Sequence, residues 1–429
     1  MDRLLKNCIG IFLRYNTIAV VLLSFTLQFI LIGRYLDNSV ISPYAPTASD
    51  AVDYVERAQL WQTGGFELAF SDAYRMPGYP LVILIMNYLL PSAPYLGVRL
   101  LQMFGLALSA GIIKVVLENF VTRRIALLVC ILYILLPIWH FVPALLAESF
   151  TSVIVVALIY VLATLKFSEI SWQHVFKISI LIVAATYLKP NNLILLIVVF
   201  GFLACTLKTR MIKTLSSVVL IVTLLLSPWV LFVNQAQSGF FGLTTNSGAN
   251  LYVGTGMVLS YDESVLARSA VKWKVDPRSN PTDLFTNNII ESPAAENSKL
   301  TEKSIQIWEN RPLKEIGYAS DKILIAFGFK SNSTTDQVYG LFNILSLIAA
   351  VLLIRSQTVR AWGFTTLITA LLLAAQAAVF QADRRFVVPV LFPFAIVCLG
   401  IVLGNLSNWS FRGGSSKSPK NPKASREAL

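Results

Sequence analysis

The sequence predicts an all-α membrane protein with about ten transmembrane helices, and three observations support this class. Hydrophobic residues make up 55% of the 429 residues and charged residues only 14%, which is far from the balance of a soluble domain. Apolar runs close to the roughly 20 residues that cross a bilayer recur along the chain. Lys and Arg clusters follow alternate runs, as cytoplasmic connectors do. The pattern is therefore that of a polytopic membrane protein.

The predicted spans leave both termini in the cytoplasm of a multi-pass protein of the plasma or inner membrane. Lys6 and Arg14 precede the first apolar run, which lacks a small-residue cleavage site and is therefore a retained span. The run 80–90 is short, so we expect it to lie at the interface or to re-enter. The ten spans are 17–35, 95–117, 125–142, 150–165, 178–188, 193–207, 214–233, 339–354, 362–380 and 387–403.

These spans divide the chain into four parts. Polar residues fill one long segment that is too long for a plain loop, so we expect a small helical external subdomain with a helix and a shorter amphipathic piece in 304–329. The basic, Ser- and Pro-rich end is expected to be a disordered cytoplasmic tail. The parts are a transmembrane module, 1–234, with its first external loop, 36–95; the large external loop, 235–339; C-terminal transmembrane helices, 340–404; and the tail, 405–429.

The composition also excludes several classes of function. The net charge of +12 does not indicate nucleic-acid binding, because many of the charges lie just beyond apolar runs. The four cysteines are scattered without paired spacing, so neither a disulfide framework nor a zinc site is predicted. No phosphate-binding or dinucleotide fingerprint is present, so no nucleotide cofactor is expected. A divalent metal shared by Asp50 and Glu148 stays open.

The first external loop collects the residues that best suit chemistry. Asp50 and Asp53 open a predicted helix that Thr47 or Ser49 would cap. A carboxylate within reach of an acceptor hydroxyl suits a general base. Alternatively, Asp50 favours a helix N-terminus and Asp53 pairs with Arg57 four residues on. Spacing alone favours this second, structural interpretation.

Apolar residues of the same loop helix share one face, which we expect to lie on the membrane. That face consists of Tyr54, Val55, Ala58 and Trp61. Three tryptophans elsewhere are interpreted as interface anchors, namely Trp229, Trp308 and Trp362.

Basic residues recur at the external ends of the predicted spans, where they could bind a lipid phosphate together. Ordinary headgroup contacts by long side chains are the alternative. Glu148 starts the span 150–165, and a helix-start carboxylate is its structural interpretation. The basic positions are Arg75, Lys189, Arg384 and Arg385.

The order of these motifs resembles the GT-C membrane glycosyltransferases, in particular the family-39-like branch of protein O-mannosyltransferases and the bacterial aminoarabinose transferase of lipid A. No single motif is specific, but the ordered series covers nearly the whole chain. The series is Asp50 with Tyr54, Gly64-Gly65-Phe66, Arg75 with Pro77-Gly78-Tyr79-Pro80, Arg99-Leu100, Arg123-Arg124, Ala147-Glu148-Ser149, Lys189-Pro190, Pro228-Trp229, 243–252 and Arg384-Arg385-Phe386.

The resemblance implies inverting transfer of a sugar from a polyprenyl-phosphate donor to a hydroxyl or amine of a lipid, glycan or protein acceptor on the external face. It implies Asp50 as the catalytic base and Glu148 as the second acidic position. Relatives often carry two adjacent acids in this loop, so the base stays open between Asp50 and Asp53. The implied donor-phosphate ligands are Arg75, Lys189, Arg384 and Arg385, and the implied substrate-binding residues are Tyr54, Tyr79, Arg99 and Asn246.

Three rival functions have different sequence signatures. A flippase or transporter for a lipid-linked sugar would favour broken helices and charges at mid-membrane, whereas the charges here cluster at external span ends. A glycan polymerase or ligase would favour a basic large loop without the early carboxylates. A scaffold with a degenerate site would tolerate loss of Asp50.

Overall fold

The computed structural model describes residues 16–38, 49–165, 170–207, 211–236, 239–256, 293–330, 334–380 and 384–412. Within these ranges the regular secondary structure is helical, which confirms the predicted all-α class. The α-helices are α1 Asn16–Asn38, α2 Ser49–Ala69, α3 Gly78–Leu89, α4 Pro94–Glu118, α5 Arg123–Leu135, α6 Glu148–Ala163, α7 Trp172–Leu188, α8 Leu195–Leu207, α9 Met211–Ala236, α10 Ser247–Gly256, α11 Pro293–Asn310, α12 Pro312–Ala326, α13 Thr334–Ile354, α14 Arg360–Val379 and α15 Arg384–Arg412. Short 3-10 turns cover Pro137–Phe141 and Pro190–Ile194.

Six helices of the described chain are long and apolar enough to cross a membrane. They are α4, α5 with its 3-10 extension, α9, α13, α14 and α15, and each coincides with a predicted span. The other four predicted spans fall on shorter apolar helices, namely α1, α6, α7 and α8 with its preceding turn. The protein is therefore a multi-pass membrane protein, with six spans supported by length and composition together.

Helix α3 has the length expected of a segment that does not cross the bilayer. Its 12 residues extend about 18 Å at 1.5 Å per residue, against a hydrocarbon core of about 30 Å. One face, with Tyr79 and Ile83, is buried, whereas Tyr88 and Leu89 at its far end are exposed. The structure is thus consistent with the interfacial or re-entrant placement predicted for this run.

Helix α15 lies at the centre of the bundle. It contacts α4, α5, α6, α12, α13 and α14, and Phe392, Phe394 and Ile396 are fully buried. A helix that is apolar on all sides is stable when neighbours surround it. Because Arg385 in its first turn bonds to Asp50, α15 brings Arg385 to the same end of the bundle as the first external loop.

Helix α2 carries the predicted apolar face, but that face packs on protein rather than on the membrane. Tyr54, Val55 and Ala58 are buried in one cluster with Tyr79 and Ile83 of α3. The prediction of a membrane-facing surface was wrong because the Pro-Gly turn after α2 folds α3 back onto it. Helix α2 itself is broken at Gly65, whose φ of 85° and ψ of 176° suit only glycine.

Two of the three predicted interface anchors are interior residues. Trp229 is 3% exposed and packs on Phe66 of α2 and on Phe70, the residue after α2. Trp362 is also 3% exposed and contacts Phe202. Hydropathy marks the ends of spans, but it does not distinguish an aromatic facing lipid from one facing another helix. Trp308 is partly exposed.

The described part of the large external loop is helical, as predicted. Helix α11 begins at Pro293, earlier than the segment 304–329 in which the helix was expected, and packs on α10. Helix α12 packs on α14. Helix α15 continues to Arg412, into the segment predicted as a tail, because no Gly or Pro lies between Gly404 and Gly413. The rest of the predicted tail, 413–429, and residues 257–292 lie outside the described residues.

Candidate active site

The carboxylate of Asp50 forms ion pairs with two arginines from distant parts of the chain. Its Oδ1 accepts a 2.6 Å bond from Arg75 Nη2, and its Oδ2 accepts a 2.9 Å bond from Arg385 Nη1. Arg75 follows α2, whereas Arg385 lies in the first turn of α15. Burial by itself raises the pKa of Asp50, but Arg75, Arg385 and Lys189 outweigh burial and lower it to about 2. The carboxylate is therefore ionised, and each of its oxygens accepts a hydrogen bond from an arginine.

Asp53 joins this pair to a second arginine. Its Oδ2 accepts a 2.5 Å bond from Arg75 Nε, and its Oδ1 accepts a 3.0 Å bond from Arg57 Nε. The Asp53–Arg57 pair predicted from the i, i+4 spacing is thereby confirmed. Arg57 also donates two 2.7 Å bonds to the carboxylate of Asp72 and one 3.0 Å bond to the carbonyl of Ala69. We call this set, Arg57 with Asp53, Asp72 and the Ala69 carbonyl, the α2 clamp.

Arg75 is part of a compact cluster rather than a lone cation at the headgroups. Its guanidinium carbon lies 5.4 Å from the ring centroid of Tyr54 and 5.1 Å from that of Tyr74, distances typical of cation–π contact. Burial alone would lower the pKa of Arg75, but Tyr54, Asp50 and Asp53 together raise it. Arg75 is thus a permanent positive charge fixed in position.

Glu148 and Lys189 form a second buried pair beside the first. Lys189 Nζ lies 2.6 Å from Glu148 Oε1, and Glu148 is 1% exposed. Glu148 is the first residue of α6, where a helix N-terminus favours negative charge. Lys189 Nζ also lies 4.4 Å from the ring centroid of Phe386. The residue after Arg385 therefore contacts the Lys189 side of the site.

Two close approaches position the turn that carries Arg75. A side chain on Gly78 would lie 2.6 Å from the carbonyl carbon of Tyr187, so only glycine lets the turn contact the chain just before Lys189. From the large external loop, Thr245 N donates a 3.0 Å bond to the Ala73 carbonyl and Thr245 Oγ1 donates a 2.8 Å bond to the Asp72 carbonyl. Ala73 itself has a φ of 50°, a left-handed conformation that these bonds help to hold.

Cavities lie on both sides of the ion-pair cluster. An open cavity of about 530 Å³ is lined by α2 and the following turn, including Asp50, Asp53 and Glu56. A small cavity of about 10 Å³, enough for one water, is lined by residues including Glu148, Lys189 and Arg385. The Asp50–Arg385 bond joins the two. A large polar substrate fits the first cavity, whereas the second requires movement of its lining to admit more than a water.

The other predicted site residues lie at varying distances from this cluster. Tyr54 contacts Arg75, and the Tyr79 ring packs edge-on against Tyr54 with centroids 4.9 Å apart. Arg99 is 1% exposed and donates bonds of 3.2 and 2.9 Å to the Pro143 carbonyl. Asn246 is buried and accepts a 2.8 Å bond from Thr244 Oγ1. For all four, substrate binding stays a prediction.

Some predicted features are not placed by the structure. The side chain of Arg384 lies outside the described residues. Among the residues that are described, no group of three His, Cys, Asp or Glu side chains comes together as metal ligands. The shared metal at Asp50 and Glu148 therefore remains open.

Sequence reasoning missed two residues that shape the site. Asp72 has no spacing signal of its own, because its partner Arg57 lies 15 residues earlier across the Gly65 break. Thr245 lies in a stretch noted only for its resemblance to a family segment, and its bond to Asp72 spans 173 residues. A local pattern does not reveal contacts at such separations.

Comparison with known proteins gives one remote similarity. No protein-family model and no curated protein matches the chain. The chain is similar to the crystal structure of ArnT from Cupriavidus metallidurans in the apo state, with 11% identity and a TM-score of 0.39, over 95% of this chain and 80% of that one. At this distance the alignment assigns no residue roles.

Proposed function

We propose that the protein is an integral membrane glycosyltransferase that moves a sugar from a polyprenyl-phosphate donor to an acceptor hydroxyl or amine on the external face. One observation carries the proposal: Asp50, the loop carboxylate, lies against Arg75 and Arg385 beside the Glu148–Lys189 pair. A base and three cations at one end of a membrane bundle suit transfer from a phosphate leaving group. The orientation follows the predicted cytoplasmic Lys and Arg clusters.

The reaction is a single displacement. Asp50 accepts the proton of the acceptor hydroxyl while that oxygen bonds to the anomeric carbon. The bond from that carbon to the phosphate oxygen breaks, and its electron pair leaves with the polyprenyl phosphate. One attack with one departure inverts the anomeric centre. Arg75, Arg385 and Lys189 stabilise the charge that develops on the leaving phosphate.

The two cavities suggest how the substrates are arranged. The open cavity beside Asp50 has room for a polar acceptor arriving from water. The donor phosphate belongs on the Arg385 and Lys189 side, next to the helices that face lipid. With this arrangement, Asp50 lies on the side of the acceptor hydroxyl, and the anomeric carbon lies between that hydroxyl and the leaving phosphate, as an in-line displacement requires.

The flippase alternative predicts a different distribution of charge. Transporters bind their substrates near the bilayer midplane at interrupted helices. Here the ion pairs lie at helix starts and ends, namely at Asp50, Glu148, Lys189 and Arg385. This placement favours chemistry at the membrane surface over passage through the membrane.

The decisive experiment is turnover by purified, lipid-reconstituted protein. A panel of radiolabelled polyprenyl-phosphate sugars is supplied to wild type, Asp50→Asn and Asp53→Asn at matched folded yield. The readouts are released polyprenyl phosphate and labelled sugar on an acceptor or on water. We expect loss of turnover of about 10²–10⁴-fold in Asp50→Asn, the usual contribution of a general base, and partial activity in Asp53→Asn.

The reverse pattern would move the base to Asp53. Full activity in both variants would overturn the mechanism. Movement of an intact lipid-linked sugar across vesicles, without release of polyprenyl phosphate, would instead identify the protein as a flippase.

A further inference from the structure

Three cationic side chains of the proposed phosphate site are described by the structure, and each donates a hydrogen bond to a carboxylate. Arg75 donates through Nε to Asp53 and through Nη2 to Asp50. Arg385 donates to Asp50, and Lys189 donates to Glu148. Three positive groups thus face three negative groups. A phosphate that enters this site finds no net positive charge from these six side chains to attract it.

A phosphate also needs the same N–H donors that the carboxylates occupy. Guanidinium groups bind phosphate best through two parallel N–H bonds. In Arg75 two such donors are divided between Asp50 and Asp53, with bonds of 2.6 and 2.5 Å. Bidentate phosphate binding on the Nε–Nη2 edge of Arg75 therefore requires that at least one carboxylate be released.

We propose that the donor phosphate binds by ion-pair exchange, displacing Asp50 from Arg75 and Arg385, so that Asp50 becomes a free base only when donor is present. This inference rests on the proposed function, since it takes the ligand to be a lipid phosphate. Before exchange, both Asp50 oxygens are occupied. After exchange, they can accept the proton of the acceptor.

The charge balance of the reaction supports such an exchange. The phosphodiester donor carries one negative charge and Asp50 another. After transfer, Asp50 is protonated and neutral, and the departing phosphate carries two negative charges. Negative charge thus migrates from Asp50 to the phosphate, and the two guanidinium groups that stabilise Asp50 at rest stabilise the leaving group at the end.

Binding of an unreactive lipid phosphate tests the exchange directly. The probe is a fluorescent short-chain polyprenyl monophosphate, with the matching polyprenyl alcohol as the uncharged control. Wild type, Asp50→Asn, Asp53→Asn and Arg75→Gln are compared in nanodiscs. If Asp50 competes with phosphate, Asp50→Asn binds the probe about tenfold tighter, which corresponds to about 1.4 kcal/mol, although it has lost turnover.

Asp321→Asn is the matched control. It removes a carboxylate from the Lys330–Asp321 pair, whose atoms lie 3.0 Å apart and whose side chains are about 40% exposed. We expect unchanged binding in this variant. Asp53 is the second carboxylate that competes with the phosphate. The Asp53→Asn variant should therefore also bind the probe more tightly, because Arg75 loses one of its two carboxylates.

The outcomes separate this inference from the proposed function. Weaker or unchanged binding in Asp50→Asn would overturn the exchange whatever Asp53→Asn shows, while turnover by wild type would leave the proposed function intact. If wild type and Arg75→Gln both fail to prefer the phosphate probe over the alcohol, the donor class is wrong and the exchange falls with it.

The pH dependence of wild type gives an independent test. The groups that face Asp50 and lower its pKa are Arg75 after α2, Arg385 of α15 and Lys189 after α7. With donor as the varied substrate, kcat/KM reports the free enzyme and kcat reports the complex. If the arginines leave Asp50, the pKa of Asp50 rises in the complex. The acid limb of the kcat profile should then lie at least one pH unit above the acid limb of the kcat/KM profile. Coincident acid limbs would contradict the exchange.

Discussion

Two ion-pair systems share helix α2 and differ in their reach along the chain. The α2 clamp joins Arg57 to partners at most 15 residues away, all within the first external loop. The second system, Arg75 and Arg385 on Asp50, joins residues 25 and 335 positions apart. The first satisfies Arg57 with four hydrogen bonds inside one loop. The second connects that loop to the central helix α15. Both systems line the open cavity, and the second also borders the small cavity through Arg385.

This difference separates structure from function. The α2 clamp shares Asp53 with Arg75, but the bonds of Arg57 all lie within one loop and fix the shape of that loop. The charges of the second system come together only when distant elements of the fold pack against one another. Charged groups brought together from several elements at a cavity are the usual arrangement of an active site. The comparison predicts that the clamp governs stability and that the long-range set governs turnover.

Among the arginines of the two systems, Arg75→Gln should produce the largest loss of activity. It removes a donor aimed at the developing phosphate charge, and loss of one such donor lowers turnover by about 10²–10³-fold, or about 3 kcal/mol in the barrier. The measurement is single-turnover release of polyprenyl phosphate at matched folded yield. Arg123→Gln, at a position 71% exposed, should leave the rate unchanged, and a similar loss there would point to a general effect of charge.

Arg57→Gln should mainly reduce stability. It leaves the Ala69 carbonyl without this donor and the Asp72 carboxylate with its bond from Tyr74 N, and breaking a buried pair costs about 3–5 kcal/mol. Because Asp53 and Asp72 are 25% and 40% exposed, screening lowers the expected cost to about 2 kcal/mol. Unfolding in a denaturing-detergent titration measures it. A large loss of turnover in the correctly folded fraction would abolish the distinction between the two systems.

Gly65→Ala should destabilise the loop by about 1–2 kcal/mol, because a φ of 85° with a ψ of 176° is strained for any residue with a Cβ. The same titration detects the change. Gly317→Ala is the matched control, since Gly317 lies in α12 with open space around it and alanine favours an exposed helix. Equal effects at both positions would show that the break in α2 is not required.

Thr245→Val should have the smallest effect, about 1 kcal/mol, because it removes one hydrogen bond to the Asp72 carbonyl. Thr63→Val, which removes a bond within exposed α2, should change stability by less than about 0.5 kcal/mol. If Thr245→Val instead lowers turnover without loss of stability, the large external loop positions Arg75 directly and belongs with the long-range system.

Much of the architecture could be predicted from local patterns. Each of the ten spans predicted from apolar runs falls on a helix. The shortness of 80–90, together with the alternation of the Lys and Arg clusters, set α3 apart from them. The i, i+4 spacing predicted the Asp53–Arg57 pair. These features depend on residues within a few turns of each other, so the order of residues is sufficient to find them.

The sequence by itself therefore determined the class of protein, the positions of its helices and the loop that holds the carboxylates. Only the tertiary structure decided that Asp50 pairs with Arg385, that Thr245 anchors the turn of Arg75, and that Trp229 and the Tyr54 face are buried against protein. The reason is physical. Hydropathy and periodicity report how one element meets its solvent, whereas the partner of a charge or an aromatic ring depends on which distant helix packs beside it.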